Sequence, residues 1–291
     1  MHPHTSLYQT GSVIGHQESL ADPRGARVLG TGCAQPSVRV RFFGRFELLC
    51  GDELVRLGCN AKALAILKYL LSRGVRPVSQ DYLMAWLWPD SNLKRARWSL
   101  NSAIYALRKL LRGQLSPVAS SDFVLFDKSY YRLDPSVEVW TDKDEFEVRC
   151  KHGYHLERTQ RKPEAVAEYE AAMGLYRGDY LAEDLYEDWT MLEREWFADL
   201  YMDTLSRLAS YYMETGRYQE SIGACYQLLE KDRCHEDGHR LLTECYAHLG
   251  LRGRASRQHK RLSRDLLERD LITVPQPELS LSTEGAWRRK R

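Results

Sequence analysis

The apolar positions of this chain change period twice. From Val38 they alternate, as Val38-Arg39-Val40-Arg41-Phe42 and then Arg45-Phe46-Glu47-Leu48, and Gly51-Asp52 turns the chain before Val55-Arg56-Leu57. A period of two buries one face of each strand, so this stretch predicts a small antiparallel sheet. The period then becomes helical. Ala63, Leu64, Ile66, Leu67, Leu70 and Leu71 make one stripe that Gly74 stops. Ser79 caps a short second helix over Asp81 to Trp88, which Pro89 ends. Asn92 caps a longer third helix that ends near Gly113, with Leu93, Ala96, Leu100, Ala103, Ile104, Leu107, Leu110 and Leu111 as its buried stripe. Two apolar runs, Phe123 to Phe126 and Tyr130 to Leu133, flank Asp127-Lys128-Ser129 and predict a β-hairpin. Sheet, three helices and a closing hairpin together predict a winged helix-turn-helix domain over residues 38–134.

Beyond that point the pattern is helical almost without interruption, from about Asp142 to Asp270. It also repeats. Leu208, Tyr212 and Gly216 recur as Leu242, Tyr246 and Gly250 at a constant offset of 34 residues, and Ser221 falls opposite Ala255. That period belongs to tetratricopeptide-like helix–turn–helix units, in which a glycine closes the first helix and small residues admit its neighbour. Ala165, Val166 and Tyr169 suggest a third, degenerate unit. The aromatics Tyr176, Tyr180, Trp189, Trp196, Phe197 and Tyr211 are expected as core or repeat packing. The predicted fold class is α+β followed by all-α: a disordered leader (1–37), the winged-helix domain (38–134), a helical-repeat domain (135–272) and a flexible tail (273–291).

Charge sharpens the division. Residues 38–134 hold 16 Lys and Arg against 8 Asp and Glu, whereas residues 135–272 hold 20 against 28. A net of +8 beside a net of −8 points to a polyanion as partner of the first domain and not of the second. The 7 cysteines are scattered and never spaced C-x-x-C, so neither a disulfide framework nor a thiolate metal site is indicated. No apolar run is long enough to span a membrane and no secretory signal opens the chain, so the protein is expected to be soluble and cytoplasmic. Phosphate-binding Gly-rich loops and nucleophile elbows are absent from the sequence. His235-Glu236-Asp237-Gly238-His239 does satisfy H-E-x-x-H, but it opens a repeat helix and brings no third ligand. Both histidines are therefore expected to be structural or solvent-facing, with no metal, no cofactor and no enzymatic activity.

The chemistry suited to a polyanion lies on the third helix. With its apolar stripe turned inward, Arg97, Trp98 and Asn101 are the candidates for reading bases: Arg grips guanine with two hydrogen bonds, Asn does the same for adenine, and Trp packs on a thymine methyl or a sugar. Lys94, Arg95, Tyr105 and Arg108 are the candidates for holding phosphates, which set register without carrying sequence. On the hairpin, Lys128 and Arg132 are candidates for the adjacent minor groove. Double-stranded DNA is thus the expected partner. The rival reading is a helical-repeat scaffold whose basic domain binds an acidic protein.

Several motifs in order resemble one family. They are Val40-Arg41-Phe42-Phe43-Gly44, Leu87-Trp88-Pro89-Asp90, Ala96-Arg97 through Leu107-Arg108-Lys109-Leu110-Leu111, and Tyr131-Arg132-Leu133-Asp134; then Gly216-Arg217-Tyr218, Asp232 through Leu242, and Cys245-Tyr246-Ala247-His248-Leu249-Gly250. Over residues 38 to about 272 the chain resembles the Streptomyces antibiotic regulatory proteins, which join a response-regulator-type winged helix to a bacterial transcriptional activator domain. The resemblance implies a DNA-binding regulator, an activator, that acts as a homodimer or cooperative oligomer on DNA. It also implies RNA polymerase as a further partner, touched by the loop Trp88-Pro89-Asp90-Ser91 or by the repeats. The chain departs from the family in its long leader, in a hairpin tip without glycine and in the lack of a glycine turn after Leu267.

Overall fold

Strand β1 (Val38–Arg41) sits between two partners, one local and one far along the chain. The computed structural model describes residues 38–115 and 122–268; the expected leader and tail lie outside the described residues. On one side β1 pairs antiparallel with β2 (Glu47–Cys50), which pairs with the short β3 (Glu53–Leu54). On the other side it pairs in parallel with β7 (Val139–Thr141), Val38 opposite Val139. The third strand therefore falls earlier than the pattern predicted, since Val55 turns into the core just past it. Strand β7 is a three-residue element whose partner is about a hundred residues away, and nothing in its own pattern announces it.

Helices α1 (Ala61–Arg73), α2 (Gln80–Leu87) and α3 (Leu93–Leu115) follow the expected order. The caps of α2 and α3 are the predicted ones: Ser79 Oγ accepts from the Asp81 amide at 3.2 Å, and Asn92 Oδ1 accepts from the Arg95 amide at 2.9 Å. These bonds satisfy amides that the first helical turn leaves without partners. Helix α3 runs through Gly113 to the buried Leu115. Strand β4 (Val78–Ser79) joins β6 (Tyr130–Leu133) and β5 (Val124–Asp127) in a second sheet, the wing.

The repeat part comprises α4 (Asp142–Arg158), α5 (Lys162–Leu175), α6 (Asp188–Glu214), α7 (Tyr218–Lys231), α8 (Glu236–His248) and α9 (Arg252–Glu268), each packed on its neighbours in sequence. One turn recurs three times. The amides of Gly216 and Arg217 donate back to Met213 and Tyr212, those of Gly250 and Leu251 to Ala247 and Tyr246, and those of Gln160 and Arg161 to Glu157 and Leu156. All three turn residues have positive φ, which favours glycine; at Gln160 (φ +63°) a side chain is carried there instead. The degenerate unit inferred from Ala165, Val166 and Tyr169 is thus the pair α4–α5. Ser221, fully buried, donates to the Ala209 carbonyl at 2.8 Å, which shows why that contact needs a small residue.

The two parts share one core. Phe43 lies with its ring 5.2 Å from Phe146, 4.8 Å from Tyr176 and 5.3 Å from Phe197, while Phe42 stacks on Tyr180. The loop between α5 and α6 clamps the end of β1: Leu181 donates to the Phe42 carbonyl and Gly44 to the Asp179 carbonyl. Gly44 and Gly178 meet so closely that a Cβ on Gly178 would stand 3.1 Å from the Gly44 Cα. Lys68, on α1, is buried against Asp184 at 2.5 Å. Asp142 completes the joint, its two carboxylate oxygens accepting from the amides of Phe42 (2.7 Å) and Phe43 (3.1 Å).

Candidate nucleic-acid interface

Helix α3 buries Ala96, Leu100, Ala103, Ile104, Leu107 and Leu111 against the rest of the domain. Leu93 does not belong to that stripe: it is 77% exposed, because it is the first residue of the helix and projects beyond its neighbours. Leu110 is only half-buried. The opposite face carries every residue proposed for base reading. Arg97 and Asn101 are exposed and Trp98 is 71% exposed, a high value for an indole. Lys94 and Arg95 are exposed on the first turn, and Tyr105 is 71% exposed. Among the described residues, Lys94, Arg95 and Arg97 form no ion pair, so their charge is uncompensated by the fold.

Arg108 is placed differently from its α3 neighbours. Its Nε donates to the Val124 carbonyl at 2.9 Å and lies 3.6 Å from Asp122, so this guanidinium ties α3 to the base of the hairpin. Arg108, expected as a phosphate contact, thus has its Nε committed to the wing. At the hairpin tip, Lys128 (φ +47°) and Ser129 (φ +72°) form a two-residue turn with both φ values positive, the geometry that suits the strands' right-handed twist. Without glycine the turn is strained, and the Gln80 amide donating to the Ser129 carbonyl at 2.8 Å helps to hold it. Lys128 and Arg132 are both exposed. In the loop between α2 and α3, Pro89 and Asp90 are exposed while Trp88 and Ser91 are half-buried; Lys62 lies over the Trp88 ring at 4.7 Å.

The H-E-x-x-H residues serve the fold. His235 Nδ1 accepts from the Gly238 amide at 3.1 Å as the cap of α8. His239 is buried; Gln258 Nε2 donates to its Nδ1 at 2.7 Å, and that tautomer lets Nε2 donate to the Arg233 carbonyl at 2.8 Å. Trp196, expected as packing, is instead 53% exposed on α6. A basic helix escaped the sequence reading altogether. Between Arg252 and Arg264, α9 holds six Lys and Arg and no Asp or Glu. Averaging charge over the whole acidic half concealed it; a window the length of one helix exposes it. No helix among the described residues is long and apolar enough to cross a membrane.

Residues 141–284 match the family model described as the bacterial transcriptional activator domain, a domain of transcription regulators rather than of enzymes. Among solved structures, the chain shares its fold with Mycobacterium tuberculosis EmbR, a structure of that protein in complex with a low-affinity phosphopeptide: the TM-score is 0.66 and the identity 23%, over 83% of this chain and 62% of that one. The chain therefore spans less than two thirds of EmbR's length. A TPR-containing C-terminal domain of a Plasmodium falciparum FK506-binding protein aligns over 45% of this chain and 83% of its own, with 15% identity and a TM-score of 0.36, too low to carry an argument. No curated protein sequence matches the chain.

Proposed function

We propose that this chain, which carries the bacterial transcriptional activator domain over residues 141–284, is a sequence-specific DNA-binding activator that reads the major groove with α3. The observation that carries the reading is the outward face of that helix: Arg97, Trp98 and Asn101 exposed together, flanked by Lys94, Arg95 and Tyr105, with no carboxylate among the described residues paired to these cations. In a helix-turn-helix the second helix enters the groove by its N-terminal half, which is where these residues lie. Lys128 and Arg132 on the wing then meet the neighbouring backbone or minor groove. Arg108 contributes mainly by fixing wing to helix, so that the two contact surfaces keep their spacing. The repeats supply self-association or polymerase contact, and the exposed loop at Pro89-Asp90 is a second surface for the polymerase.

The test is a titration of the full chain on its preferred duplex, found by selection from random sequence, and on a scrambled one, at several salt concentrations. If about six phosphates are neutralised, log K against log salt falls with a slope near −5. Asn101→Ala costs about 1–3 kcal/mol on the preferred duplex and little on the scrambled one, because an amide reading adenine contributes to discrimination alone. Equal weakening on both duplexes removes Asn101 from base reading. A slope near zero removes DNA as the partner and leaves the scaffold reading in its place.

A further inference from the structure

The basic face of α9 is as unusual in its surroundings as α3 is ordinary in its own. Residues 135–251 hold 13 Lys and Arg against 25 Asp and Glu, and three arginines there are each matched to two carboxylates, Arg207 to Asp203 and Glu157, Arg217 to Glu220 and Glu170, Arg240 to Asp237 and Glu244. Arg254, Arg257 and Lys260 have no such partner among the described residues. Arg254, Arg257, Arg261 and Arg264 follow one another at helical spacing, so they line a single face over about 15 Å. Like charges three and four apart repel, and packing of the repeat does not require them. The rotation of α9 is also fixed, since Gln258 on its inner side is hydrogen-bonded to the buried His239.

We propose that the groove between this face and α7 is a binding site for a nucleotide-class ligand bearing several linked phosphates. The groove has a volume of ≈ 610 Å³, within the range of about 300–1,000 Å³ typical of small-molecule sites. Its basic wall is the arginine row with Lys260, and its other wall is Tyr226 and Tyr246. Guanidinium forks match phosphate oxygens in pairs, and a row of them fits a chain of phosphates better than one isolated anion. Tyr226 is 50% exposed, and its hydroxyl lies 2.7 Å from that of Tyr246, which pins the ring; in this proposal the base stacks on it. The site is independent of the DNA-reading assignment, because it shares no residue with α3 or the wing.

The experiment uses the full chain and two probes, ATP and inorganic tripolyphosphate, titrated by calorimetry at about 0.15 M salt, where the Debye length is ~8 Å and diffuse surface attraction is screened. One-to-one binding is expected, with a rise in melting temperature that follows ligand concentration. Arg257→Glu with Lys260→Glu weakens binding at least tenfold and leaves the melting temperature of the unliganded chain unchanged, since both side chains are exposed. If ATP binds more tightly than tripolyphosphate and Tyr226→Ala removes the difference, the ring holds the base. Equal affinity for the two probes, insensitive to Tyr226→Ala, overturns the nucleotide assignment in favour of a phosphate chain alone. Absence of binding, or binding that the charge reversal leaves intact, overturns the site. So does a result in which an unrelated DNA duplex, but not ATP, loses affinity on charge reversal, because the groove's occupant is then nucleic acid.

Discussion

The winged-helix part and the repeat part of this chain are built from opposite kinds of contact. In the repeats, each helix packs on the next in sequence, the same backward-donating turn closes three helices, and surface cations sit beside carboxylates. In the winged helix, the decisive pairings are distant: β1 with β7, β4 with β6, and Phe43 with three rings of the other half. The local architecture tolerates variation, as Gln160 in a glycine position shows. The distant one leaves Lys94, Arg95, Arg97, Trp98 and Asn101 exposed on the outer face of α3. The difference teaches where to look for chemistry: Lys94, Arg95 and Arg97 follow closely on α3, as Arg254, Arg257 and Lys260 do on α9, and none of the six has a carboxylate partner among the described residues.

Substitution at the joint tests the contrast most severely. Phe43→Ala removes a fully buried ring from the core that both parts share and is expected to cost about 3–5 kcal/mol. Chemical denaturation followed separately by a winged-helix probe and a repeat probe should show both midpoints falling together. If only one moves, the two parts unfold as separate cores and the comparison must be redrawn.

Asp142 offers a test by pH. Its carboxyl is 2% exposed, and burial raises its pKa to about 6 from the ordinary 3.8, although the amides of Phe42 and Phe43 and the Arg177 guanidinium oppose the shift. The folded chain thus holds this proton more tightly than the unfolded one. The stability due to protonation is complete below about pH 3.8 and is lost as pH rises through about 6. Asp142→Asn fixes a neutral side chain there, so wild type should lose about 3 kcal/mol relative to the variant between roughly pH 4 and pH 7. Parallel denaturation curves for the two proteins across that range would show that the carboxylate is as well accommodated inside as in water.

Smaller effects separate the contact surfaces. Arg108→Ala should lower stability by about 1–2 kcal/mol through the lost charged hydrogen bond to Val124, and weaken DNA binding by loosening the wing. A variant that keeps wild-type stability but loses affinity for every duplex equally returns Arg108 to a direct phosphate contact. The mildest change should be stabilising. Gln160→Gly relieves a left-handed side-chain conformation that costs about 1–2 kcal/mol, whereas Gly250→Ala imposes one at the matching turn. Opposite shifts in thermal midpoint are expected; shifts of the same sign would mean that the turns are not equivalent.

Much of this organisation was legible in the sequence because it is local. The stripe of Leu100, Leu107 and Leu111, the caps Ser79 and Asn92, and the recurrence of Gly216 as Gly250 each depend on residues within a few turns of one another, and periodicity records such contacts directly. The outward placement of Arg97, Trp98 and Asn101 followed from the same periodicity. Leu93 was misread because apolar spacing says nothing about where a neighbouring element ends. Residues far apart leave no comparable trace. That Val139-Trp140-Thr141 becomes a parallel strand, that Arg108 turns to Val124, and that Asp142 accepts from the amides of Phe42 and Phe43 just past the first strand were decided only when the chain closed on itself. There, burial makes an unpaired amide or charge costly and so selects the one distant partner that satisfies it.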